Sequence, residues 1–110
     1  MEHKIDFNSF NETDWTTLGA QIGTLLPPSY PKIAQEVKIY KRRDGELGAD
    51  MNFVSKTTGS YRIIRLHKNG ASVYVNGCPI GKNDDTRDKI EKIWQKFKSS
   101  KLNESEEKVL

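Results

Sequence analysis

The chain has 110 residues, 35% of them hydrophobic and 30% charged, with a formal net charge of +3. That length sets one domain with a modest core, and Cys78, the only cysteine, excludes an intrachain disulfide and a thiolate zinc cluster. No apolar run approaches the ~20 residues that a membrane-spanning helix needs, and residues 1–6 are too polar for a secretory leader, so a cytoplasmic location without membrane contact is expected.

Residues 1–10 read as a lead-in segment, with Ile5, Phe7 and Phe10 available to pack on the domain. Residues 11–100 form the single α+β domain. Residues 101–110 read as a flexible tail, because the charges and serines after residue 98 continue no apolar stripe. Thr13 or Asn11 caps a first helix, its side-chain oxygen accepting from an unpaired first-turn amide. Trp15, Leu18, Ile22, Leu25 and Leu26 recur at helical spacing along one stripe, and Pro27-Pro28 stops it. Gly19 and Gly23 weaken this helix and read as tolerated.

The period then switches to two. Val37 and Ile39 alternate with Glu36, Lys38 and Tyr40 in a first strand, and Asp44-Gly45 marks a tight hairpin. Ala49, Met51 and Phe53 alternate with Asp50 and Asn52 in a second strand, and residues 55–60 form a loop. Residues 61–66 make a third strand, apolar on both sides. Asn69-Gly70 is the strongest hairpin signal, leading into a fourth strand through Ala71, Val73 and Val75. Asp84 or Asp85 caps a last helix whose buried stripe is Ile90, Ile93, Trp94 and Phe97. This order predicts an antiparallel four-stranded meander with an N-terminal and a C-terminal helix packed on one face. The other face is left for solvent or a partner.

A catalytic set is hard to assemble from these residues. His3 and His67 have no metal-ligand neighbours at useful spacing, and Cys78 has no base beside it. The glycine-bearing tract from Gly77 to Asn83 has three residues between its glycines where a phosphate loop has four, and Asn83 replaces the hydroxyl that would hold magnesium. Asp44, Glu46 and Asp50 read as a solvated turn. The expectation is a binding protein, not an enzyme, with no cofactor and no metal.

Alternation offers a surface instead. With Met51, Phe53, Ile64, Leu66 and Val73 inward, the outward set includes Lys38, Tyr40, Tyr61, Ile63, Arg65 and Tyr74. Tyrosine and arginine are enriched in binding hot spots. Because strand three is apolar on both sides, the spacing leaves open whether Tyr61 and Ile63 or Ile64 and Leu66 face inward. The last helix adds basic candidates at Arg87, Lys92 and Lys96. Charge is uneven along the chain: residues 1–55 carry 6 basic and 8 acidic side chains (−2), residues 56–110 carry 12 and 7 (+5). Two partners fit this pattern. One is a protein; the other is single-stranded nucleic acid, stacked on the tyrosines and steered by the basic helix.

Ile22-Gly-Thr-Leu25-Leu26-Pro27 closing a helix, a tyrosine and Lys32-Ile33, a strand reaching Tyr40, the Asp44-Gly45 turn and Ile93-Trp94-Gln-Lys-Phe97-Lys in the last helix come in a suggestive order. Over roughly residues 15–98 the chain resembles the YezG-like immunity proteins of bacterial polymorphic toxins. The resemblance implies binding and steric occlusion of a cognate protein toxin, often a nuclease. It implies no particular contact residues.

Overall fold

The computed structural model describes residues 6–79 and 85–109, with side chains through residue 101. The expectations for Ile5, His3, Asp84 and the tract 80–83 lie outside the described residues. A single 3₁₀ turn, Phe7–Ser9, precedes helix α1, Glu12–Gly23. Strands β1 (Glu36–Lys41), β2 (Leu47–Val54), β3 (Tyr61–His67), β4 (Gly70–Val75) and β5 (Cys78–Pro79) follow, and helix α2 spans Asp85–Val109.

Asn11 is the α1 cap: its side-chain oxygen accepts from the Asp14 amide at 2.8 Å, while the Asp14 carboxylate accepts from the Asn11 amide at 3.0 Å. This reciprocal box satisfies two amides that the helix itself leaves unpaired. The helical backbone of α2 continues through residues 101–109, the segment that the charge pattern assigned to a tail.

The sheet is antiparallel throughout, in the order β1-β2-β3-β4-β5. Five strands replace the expected four. The added one is short and arises at Asn76-Gly77, whose φ angles of 51° and 88° are those of a tight two-residue hairpin. That turn pairs Val75 with Cys78 and Tyr74 with Pro79.

One core binds these elements. Ala49, Met51, Phe53, Ile64, Leu66, Ala71 and Val73 from the sheet, Leu18 and Ile22 from α1, and Ile90 and Trp94 from α2 share it, each at most 2% exposed. Strand three therefore turns Ile64 and Leu66 inward. Phe7 from the lead-in is fully buried as well, stacked on Trp94 at 5.6 Å and Trp15 at 6.1 Å between ring centroids. The Trp94 indole N–H donates to the His67 carbonyl at 2.9 Å, which tethers α2 to the end of β3.

The outward face of the sheet

Register fixes what the remaining strand residues share. Glu36, Asn52, Ile63, Tyr74 and Pro79 lie in one row across the sheet, and Lys38, Asp50, Arg65 and Ser72 lie in the next. Both rows point away from the core, since successive side chains of a strand alternate between faces. Tyr40, Tyr61 and His67 belong to the same face.

Arg65 is the centre of its chemistry. Its Nε and Nη2 donate to Asp50 Oδ1 and Oδ2 at 2.9 and 3.1 Å, a paired fork that fixes the guanidinium plane. The guanidinium carbon stands 5.0 Å from the Tyr74 ring centroid and 5.6 Å from that of Tyr40. Both distances fall within cation–π range. The hydrogen bond to Asp50 holds Arg65 protonated well above its ordinary range, against the opposing effect of burial.

Tyr40 reaches this cluster from β1, across an intervening strand, because its partner on β2 is Gly48. A Cβ at that glycine would sit 2.7 Å from Tyr40 Cζ and Oη. The phenol thus lies where any larger residue would stand. Burial, then the nearby Asp50 carboxylate, pushes its pKa above the usual phenol value.

At one end the face opens into a depression of about 580 Å³, lined among others by Tyr40, Arg42, Arg43, Arg65, His67 and Ser72. His67 Nδ1 accepts from the Asn69 amide at 3.3 Å, and burial lowers its pKa, aided by Arg42.

Of the residues singled out in the sequence, the structure brings together Tyr40, Arg65 and Tyr74. Lys38 sits at the edge of this group, its ammonium 3.6 Å from Glu36 and its side chain 72% exposed. Tyr61 shares the face but starts β3, four residues from Arg65, or about 13 Å along the strand. Its ring borders the Asn76-Gly77 turn, with its hydroxyl 3.3 Å from where a Gly77 Cβ would be. Arg87, Lys92 and Lys96 belong to α2, which lies against the core side of the sheet. Lys96 borders a groove with α1, and Lys92 sits beside Asp88 and Glu91. The basic helix and the tyrosine face are separate surfaces.

Two residues of the cluster escaped the sequence. Asp50, expected on the second strand but grouped with the solvated carboxylates of the turn, stands opposite Arg65 and pairs with it, and Gly48 makes room for Tyr40. Alternation already placed Asp50 outward; only the register reveals its partner. Among the described residues no three His, Cys, Asp or Glu side chains gather as a metal-binding group, and no helix is long and apolar enough to cross a membrane. No family model, curated protein or solved structure matches the chain.

Proposed function

We propose that this chain is a protein-binding module that neutralises a toxin by covering it, with the Tyr40–Arg65–Tyr74 cluster as the centre of the docking surface. The observation that carries this reading is the immobilised arginine. A guanidinium clamped by a carboxylate and flanked by two phenols loses little side-chain freedom on binding, and lower ordering cost means more net affinity. Tyrosine and arginine in such a setting are the residue types that dominate hot spots.

The face also favours protein over nucleic acid. Lys38 and Arg65 are each paired with a carboxylate, Glu36 at 3.6 Å and Asp50 at 2.9 Å, so the centre of the face is charge-neutral and the excess of arginine is confined to the depression at one end, too short a stretch to track a phosphate backbone. The toxin as partner rests on the resemblance to YezG-like immunity proteins, and occlusion needs only a preformed surface.

The test uses the purified chain and the protein toxin encoded beside its gene. A stoichiometric complex is expected by light scattering, with toxin activity lost. Arg65→Ala, and separately Tyr61→Ala with Tyr74→Ala, should fold normally by circular dichroism yet bind at least ~10-fold more weakly. Full affinity in these folded variants would remove the sheet face as the site. Binding of single-stranded oligonucleotides that weakens steeply with salt, without a toxin complex, would replace the protein partner by nucleic acid.

A further inference from the structure

The two edges of the sheet are built differently. β5 is two residues long and ends on Pro79, which has no amide proton to offer a further strand. β1 is six residues long, contains no proline, and has no strand beyond it among the described residues.

Which backbone groups of β1 are free follows from the hairpin that joins it to β2. The Arg42 amide donates to the Glu46 carbonyl at 2.8 Å, closing the ladder. Bonded and non-bonded pairs alternate in an antiparallel ladder, so Tyr40 and Lys38 turn their backbone groups toward β2. The N–H and C=O groups of Val37, Ile39 and Lys41 point outward. The described large hydrophobic residues that stand exposed are also here: Ile39, 37% exposed, and Ile33, 57% exposed, just ahead of the strand.

The geometry points to a second copy of this chain as the occupant: two β1 strands pair antiparallel about a twofold axis through Ile39, joining two sheets into one. The argument for this register is charge. Opposed residues must lie on the same face, so the axis passes through a residue and not between two. Centred on Lys38, the pairing sets lysine against lysine; centred on Tyr40, it sets Lys38 against Arg42. Both put like charges in direct opposition, which destabilises a pair of strands.

Centred on Ile39, every position finds a suitable neighbour. Glu36 faces Arg42 of the second copy, Lys38 faces Tyr40, and the two Ile39 side chains meet on the axis. All three outward residues are then used, Ile39 with itself and Val37 with Lys41 twice over. Lysines guard exposed edges against indiscriminate pairing; here Lys38 rejects both neighbouring registers, against itself in one and against Arg42 in the other, and accepts this one. The pairing also sets the tyrosine faces of the two copies side by side. So small an interface gives a concentration-dependent dimer, at the weak end of protein association.

Cross-linking reads the register directly and needs no toxin. In a Cys78→Ser background, Ile39→Cys should form a disulfide-linked dimer under mild oxidation, because its Cα atoms would lie about 5.5 Å apart across the axis, inside the range a disulfide spans. Lys38→Cys and Tyr40→Cys, each introduced singly, should not. Light scattering on the wild-type chain should show the mass rising from 12.6 kDa toward twice that value with concentration. Glu36→Arg or Arg42→Glu should shift that transition to at least ~10-fold higher concentration, and the double exchange should restore it. A chain that stays monomeric at millimolar concentration overturns the proposal. So does a monomer that takes up an extended peptide along β1 instead, or cross-linking at position 38 as efficient as at 39.

Discussion

At the scale of single residues, Gly48 decides where the Tyr40 ring can lie. Its backbone φ is not positive, so an alanine there meets no conformational penalty, and only space opposes it. Gly48→Ala should therefore leave the melting temperature near wild type while displacing the phenol from Arg65. A partner-independent readout exists: the raised pKa of Tyr40 comes first from burial, so ultraviolet titration of the variant should show that phenol moving back toward ~10. An unchanged titration would mean that the ring does not depend on the glycine.

His67 makes a second residue-scale case. Burial lowers its pKa below the ordinary 6.5, with Arg42 and Lys98 adding to the effect and Glu91 and Asp44 opposing it. A depressed folded value means that the unfolded chain binds the proton more readily. The stability involved is present above pH ~6.5 and drains away as pH falls through the folded value. Protonation also turns Nδ1 from acceptor to donor and breaks its bond from the Asn69 amide. Thermal unfolding at pH 7.5 and 5.5 should show a loss that is smaller in His67→Gln, and the ring should titrate below 6.5 by NMR. A midpoint at or above 6.5 would contradict the half-buried, neutral imidazole.

Among the elements, α2 contributes most through one side chain. Trp94 is fully buried, stacks on Phe7, and donates to the His67 carbonyl. Trp94→Ala should cost ~3–5 kcal/mol, the range for emptying an aromatic site, measured as a lower urea midpoint. A midpoint within error of wild type would show that the helix docks by other means. The stripe that identifies Trp94 was legible because helical periodicity is local. Turns were legible only in position. Asp44-Gly45 does close the first hairpin, but just the glycine takes a positive φ, of 85°, and the loop holds three residues between Arg42 and Glu46. At the β3–β4 hairpin His67 pairs directly with Gly70, so Lys68-Asn69 forms the tip. The tight Asn-Gly turn stands at Asn76-Gly77, which the chain signals with the same two letters. A dipeptide states what it tolerates; flanking register decides which pair is used. The face was legible from alternation for the same local reason, and the Asp50–Arg65 pair was not, because strand-to-strand register is a long-range fact.

Across the whole molecule, the uneven charge of the chain resolves into two surfaces with the sheet between them. The Tyr40–Arg65–Tyr74 cluster is charge-paired through Asp50; Arg42 and Arg43 border it at one end, and the lysine-rich outer side of α2 is remote from it. A remote charge acts on an encounter through its field, changing the association rate and its salt dependence, whereas a group clamped inside the contact changes how fast the complex falls apart. Lys92→Glu with Lys96→Glu should therefore alter the association rate for the proposed toxin partner by less than ~10-fold, in a manner abolished at high salt. Its dissociation rate should stay at the wild-type value. Arg65→Ala should do the reverse, speeding dissociation at every salt concentration, since the guanidinium it removes is already fixed by Asp50, Tyr40 and Tyr74. Stopped-flow association and surface-plasmon dissociation separate the two. If instead the α2 variant dissociates faster and Arg65→Ala does not, the contact surface is the helix, and the tyrosine face is merely the solvated back of the sheet.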